Sequence, residues 1–139
     1  MERIIKNQPD WDDAINKNFS KFANESFSDN VIYLNGATKD SVFPLWYRCC
    51  HVGEVKFFFV NGFIDMPALQ PGQQIDAFNI PAISSKVRHL IYNNTEASRP
   101  AFLDFNESVN GTFSIKNLST EVIKDWNPRY SMLIVCDND

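Results

Sequence analysis

Apolar and polar residues follow two different periods along the chain, and they divide it into a short helical segment and a long β-region. From Asp10 to Phe22 the apolar residues recur at the spacing that places them on one face of a helix. This helical stripe consists of Trp11, Ile15, Phe19 and Phe22. Because Asp10 is also a suitable N-cap, we predict an amphipathic helix within an N-terminal assembly or docking segment, residues 1–29.

From residue 30 onward the pattern is typical of β-strands. Short apolar or alternating runs are separated by turn signals such as Asn35-Gly36 and Asn110-Gly111. The residues Thr112 to Lys116 alternate regularly, with an apolar and a polar face. We predict a mainly β fold, with about eight strands in an antiparallel β-sandwich or jelly-roll-like head domain over residues 30–139.

Two apolar surfaces in this plan need something to pack against. The strand that carries Phe57 and Phe59 is apolar on both faces apart from Lys56, which predicts a central strand. One of its faces is expected at an oligomer interface, or beneath a loop or the helix. The helical stripe either packs against sister helices of an oligomer or against its own sandwich, and the sequence leaves both arrangements open.

Composition excludes several classes of partner. The net charge is −4, the pI is about 5.1, and there is no basic run, so binding to nucleic acid or to an anionic membrane surface is not expected. No apolar run has the length of a membrane span, and the start is too short and polar for a signal peptide. We expect a protein that is made in a cytoplasm and is soluble there.

No motif indicates catalysis or a cofactor. The chain lacks a nucleophile elbow and a glycine-rich phosphate loop, and its spacing does not place Asp76, Asp104 or Glu107 as a catalytic pair. Three cysteines and two histidines without metal-ligand spacing make a metal site a poor expectation. We therefore predict a protein that is not an enzyme and holds no cofactor or metal.

Carbohydrate binding needs an aromatic face for stacking and polar side chains beside it. Two groups of residues in loops or at strand ends meet this requirement: Trp126 with Asn127 and Arg129, and Tyr92 with Asn93 and Asn94. Trp126 is the best single candidate because its connection is polar, although it is equally suited to closing an open end of the sandwich. Trp46 is expected in the core.

Several segments resemble a known family. The run from Trp11 to Phe19 is similar to the helical opening of small tail-fibre, baseplate and receptor-binding proteins of phages that infect Gram-positive bacteria, notably lactic acid bacteria. The resemblance continues in Leu34-Asn35-Gly36, in Val60-Asn61-Gly62-Phe63-Ile64, and in Gly111-Thr112-Phe113-Ser114-Ile115 followed by Trp126. It implies a β-sandwich on a virion tail, usually homotrimeric, with other tail or baseplate proteins and host cell-wall polysaccharide as partners.

The predicted function is therefore that of a non-enzymatic phage tail or baseplate component, with a trimeric receptor-binding head that binds a cell-wall saccharide. The alternative is a purely structural accessory protein that contacts other tail proteins without binding sugar. Family members commonly carry a long neck or a large shoulder domain, whereas only the short helix precedes the sandwich here. That departure keeps the accessory alternative open.

Overall fold

The computed structural model describes residues 27–94 and 100–138, and within these ranges the chain forms nine strands and no helix. The predicted helix and its stripe lie outside the described residues. None of the described residues belongs to a helix that could cross a membrane. The strands are β1 Ile32–Tyr33, β2 Thr38–Lys39, β3 Trp46–Val52, β4 Val55–Asp65, β5 Gln74–Asn79, β6 Val87–Asn94, β7 Ala101–Phe105, β8 Thr112–Asn117 and β9 Arg129–Asp137.

The strands form two antiparallel sheets. One has four strands in the order β1-β5-β8-β7, and the other has five, in the order β2-β4-β9-β6 with β3 also paired to β4. The mainly β, sandwich-like prediction is confirmed in this form. The predicted central position of the strand that carries Phe57 and Phe59 is also confirmed, because β4 is paired on both sides.

The inward faces of both sheets meet in one hydrophobic core. Along β9 burial alternates, so that Tyr130, Met132 and Ile134 are buried while their neighbours point away. On the opposite sheet Phe78 and Phe113 stack with ring centroids 5.1 Å apart, and both rings are fully buried. The period of two along each strand therefore decides which residues hold the sheets together.

The outer face of the four-stranded sheet is polar along its two central strands, β5 and β8, and carries exposed Ile32 and Phe102 on its edge strands. Its outward side chains bond one another across strands: Gln74 Nε2 donates to Ser114 Oγ at 2.8 Å, and Asn79 Nδ2 donates to Thr112 Oγ1 at 2.8 Å.

The outer face of the five-stranded sheet is largely apolar. The strand registers place five large apolar side chains side by side on it, and we call them the apolar sheet face: Phe57, Phe59, Ile91, Leu133 and Val135. Phe59 and Ile91 remain 50% and 64% exposed. This face adjoins the candidate site.

Candidate ligand-binding site

Trp126 lies in the core. Its side chain is only 5% exposed, and its indole Nε1–H donates to the carbonyl oxygen of Pro67 at 3.1 Å. Its own carbonyl accepts from the Met66 amide at 3.1 Å, which fixes the connection against the end of β4. Trp126 thus closes an end of the sandwich, which is one of the two positions that the sequence allows, and its small exposed fraction lines a depression together with Asn127.

The neighbours of Trp126 point in different directions. Asn127 is exposed, and its Nδ2 donates to Asp40 Oδ2 at 3.4 Å. Arg129 begins β9 and faces outward, because the next residue, Tyr130, is fully buried. The three residues that the sequence groups together therefore do not form one site.

The second predicted group is also divided. Tyr92 is half-buried, with its ring centroid 6.0 Å from that of Tyr130 and 6.4 Å from that of Phe102. Its hydroxyl accepts from the Leu103 amide at 3.3 Å, so Tyr92 links the two sheets. Asn93 is exposed on the outer face, and Asn94 is the last residue of β6.

Arg129 belongs to a different group, which we call the aromatic cleft. This cleft is a depression of about 420 Å³ at one end of the five-stranded sheet. Arg129 Nε donates to Asn61 Oδ1 at 3.2 Å, and its guanidinium carbon lies 5.8 Å from the centroid of the Phe63 ring. The cleft residues other than Gly62 are Phe43, Trp46, Asn61, Phe63 and Arg129.

Gly62 allows the cleft to form. Its φ is 137°, and a Cβ atom there would lie 2.4 Å from the carbonyl oxygen of Pro44. Only glycine accommodates this close approach of two backbones. The approach is fixed by the Phe63 amide, which donates to the Phe43 carbonyl at 2.8 Å. As a result Phe43 and Trp46 stand beside the outward side chains of β4.

Asp40 holds the loop that presents Phe43. Its Oδ1 accepts from the amides of Phe43 at 2.7 Å and Val42 at 2.9 Å, an arrangement like that of a helix N-cap. The hydrogen bond from the Phe43 amide, followed by that from Val42, lowers the pKa of the Asp40 carboxyl below its ordinary value. The loop is therefore bound best by the charged form of Asp40.

A row of polar side chains extends from the cleft across the sheet. In the strand register Trp46 is opposite Asn61, Asn61 is opposite Ser131, and Ser131 is opposite Asn93. Three strand spacings separate the ends of this row, a span of about 14 Å. We call Asn61, Ser131 and Asn93 the polar row; together with Trp46 they combine a partly open aromatic surface with hydroxyl and amide groups.

Trp46 is the candidate-site residue that sequence reasoning missed. It was expected in the core, but its side chain is 37% exposed on the outer face, with the Phe27 ring packed edge-on at 6.1 Å. The signal was present in the alternation of β3, since Tyr47 is buried and Trp46 must therefore face the other way.

Other candidate sites are weaker. A larger depression of about 480 Å³ is lined by Pro100 and residues 119–125, which include no aromatic side chain. In the part of the chain that the structure describes, no three His, Cys, Asp or Glu side chains are grouped so that they could hold a metal ion. The aromatic cleft and polar row are consequently the candidate site.

Comparison with known proteins gives no family. No protein-family model matches this chain, and no curated protein and no solved structure matches it. Function is therefore proposed from the fold, the site and the resemblance of individual sequence segments.

Proposed function

We propose that this protein is a non-enzymatic attachment module that binds carbohydrate at the aromatic cleft and polar row. The observation that carries the proposal is the register that sets Trp46 at the end of a row formed by Asn61, Ser131 and Asn93. A pyranose ring has an apolar face and a polar rim, and this arrangement offers a partner to each. Arg129 adds a cation beside the same row.

The biological setting that we propose is the tail or baseplate of a phage of Gram-positive bacteria, with the sandwich as a jelly-roll-like head that binds host cell-wall polysaccharide. The sequence resemblance supports this setting. A shallow, open cleft favours weak binding at each site. Several sites on one particle, in a homotrimer or in several copies, then raise the effective concentration of the second and later contacts.

Adsorption of the full chain to purified cell-wall polysaccharide tests the proposal. We expect binding that falls at least tenfold in Trp46→Ala, because the stacking surface is lost. The matched control is Trp126→Phe, which changes a buried tryptophan outside the cleft and should bind as the unchanged protein does. Equal binding by Trp46→Ala and the unchanged protein would refute the proposed site.

The second candidate function is that of an accessory tail protein that binds other virion proteins and no sugar. The apolar sheet face favours it, since exposed apolar patches of this kind occur at protein contacts. Co-purification with a tail subcomplex, together with no adsorption to any wall polysaccharide, would favour this alternative. Hydrolysis of the polysaccharide would contradict both functions.

A further inference from the structure

The two outer faces of the sandwich differ in a way that solvent contact does not explain. The outer face of the four-stranded sheet carries hydrogen-bonded polar side chains on its central strands β5 and β8, with Ile32 and Phe102 on its edge strands. On the five-stranded sheet the polar residues Arg48 and His89 lie on the flanking strands β3 and β6, whereas the central strands carry the phenylalanine, leucine and valine residues of the apolar sheet face, with Ile91 64% exposed beside them. Antiparallel sheets that contact water on one side have polar residues there, so the apolar sheet face is expected to have a partner.

The described chain begins beside this face. Ser28 and Tyr47 exchange two backbone hydrogen bonds of 2.8 Å each, which places Ser28 next to the outer edge of β3. Ser28 shares the inward face of Tyr47, because the two are paired. The residue before Ser28, Phe27, therefore lies on the outer side, where its ring centroid is 6.1 Å from that of Trp46. Phe27, the first described residue, thus lies on the same side of the sheet as the apolar sheet face.

The predicted helix has the length and the reach to cover this face. Thirteen residues of helix are about 20 Å long, and the stretch of β4 from Val55 to Phe59, which stops short of Asn61, spans about 13 Å. Four residues lie between Phe22 and Phe27, so the five Cα–Cα steps from one to the other extend up to about 17 Å. Phe59 lies two strand spacings from Ser28, about 10 Å, so the end of the helix can reach it.

The helical stripe is the chemical complement of the apolar sheet face. It would present four large apolar side chains, and the opposite side of the same helix would carry Asp13 and Lys17, which would remain in water. A helix of this length is marginal on its own and requires a surface to pack against. The short connection also keeps the local concentration of the segment in the millimolar range, well above that of a second copy at micromolar protein.

We propose that residues 10–22 pack as a helix, through their apolar stripe, on the apolar sheet face of the same chain. This assigns the face to the chain's own N-terminal segment and leaves the aromatic cleft, at the end of the sheet, open to ligand. It also selects between the two arrangements that the sequence left open for the stripe.

The test is limited proteolysis of the full chain with trypsin, which cleaves after Lys17 and Lys21. Phe59→Asp places a charge on the apolar sheet face without entering the core, and Phe19→Asp places one in the stripe without touching the sandwich. We expect each variant to be cleaved at these lysines at least tenfold faster than the unchanged protein. The double variant should be cleaved no faster than either single variant, since both break the same contact.

Phe102→Asp is the matched control, because Phe102 is 43% exposed on the four-stranded sheet and the substitution is the same. We expect its cleavage rate to stay within twofold of the unchanged protein. Light scattering on all variants completes the test, and we expect the solution mass of Phe59→Asp to equal that of the unchanged protein.

Three outcomes would overturn the proposal. A cleavage rate that is unchanged in Phe59→Asp or in Phe19→Asp would show that residues 10–22 do not occupy the face. A solution mass that falls in Phe59→Asp would assign the face to another copy of the chain. Equal acceleration in Phe102→Asp would attribute faster cleavage to general loosening of the sandwich.

Discussion

Replacing Gly62, which lies within β4, by alanine should destabilise the protein more than the same change at Gly53 or Gly72, which lie in open turns. A Cβ atom at residue 62 would lie 2.4 Å from the Pro44 carbonyl oxygen, 2.7 Å from the Pro44 carbonyl carbon and 2.8 Å from Leu45 Cα. All three are backbone atoms, so relief requires the segment that leads into β3 to move. An alanine side chain is also strained at a φ of 137°. Together, the backbone strain and the close contacts should lower the free energy of unfolding by about 3 kcal/mol.

The matched control for this change is Gly72→Ala. Gly72 also has a positive φ, 74°, but no atom lies within 4 Å of its added Cβ. Only the backbone conformation is then penalised, at about 1 kcal/mol. Thermal unfolding followed by circular dichroism should show a Tm about 10 °C lower for Gly62→Ala and a drop of about 3 °C for Gly72→Ala. Equal shifts would refute the steric role of Gly62, and polysaccharide binding by folded Gly62→Ala should also weaken, because Trp46 is displaced.

Three further predictions concern residues that support the sandwich. Asp40→Ala should lower the free energy of unfolding in urea by about 1 kcal/mol at pH 7. Because hydrogen bonds lower the pKa of Asp40 below 3.8, this loss of stability should persist down to about pH 4. It should shrink as the pH falls further and the carboxyl of the unchanged protein is protonated. A difference that grows on acidification would contradict this. Asn117→Ala removes a fully buried amide that donates to the carbonyls of Leu69 at 3.0 Å and Glu121 at 2.8 Å. It should lower the free energy of unfolding by about 3 kcal/mol in the same assay. A loss below half of that would show that water replaces the amide. Trp126→Phe should lower the free energy of unfolding by about 1 kcal/mol, because the hydrogen bond to the Pro67 carbonyl is lost. A larger loss of saccharide binding free energy than of stability would instead show that Trp126 contributes to binding.

The strands could be predicted from sequence because their local signals agree with the fold. The doubly apolar run of β4 indicated its central position, and the alternation of β8 indicated that Phe113 and Ile115 face the core, although the polar residues Thr112 and Ser114 are buried as well. The short strand β2, Thr38–Lys39, has no apolar pattern from which it could be predicted. Its two residues are both exposed and pair only with Asp65 and Ile64, so that tertiary contact and not hydrophobic pattern creates it.

The candidate site was harder to predict because it depends on pairing across strands. Trp46, Asn61, Ser131 and Asn93 come from four strands and share a row only through the registers of the sheet. Trp126 attracted attention because its sequence surroundings are polar, yet its indole is buried by Met66 and Pro67, which are distant in sequence. Loop polarity alone did not reveal which tryptophan faces solvent.

The most direct test of the proposed site is the rate at which each tryptophan of the full chain is oxidised by N-bromosuccinimide, read by peptide mass spectrometry with and without saturating cell-wall polysaccharide. Trp46 is 37% exposed and Trp126 is 5% exposed, so Trp126 serves as an internal control that should react slowly in both samples. We predict that polysaccharide slows the oxidation of Trp46 at least fivefold. An unchanged rate at Trp46 under saturating polysaccharide would contradict the assignment of the aromatic cleft as the binding site.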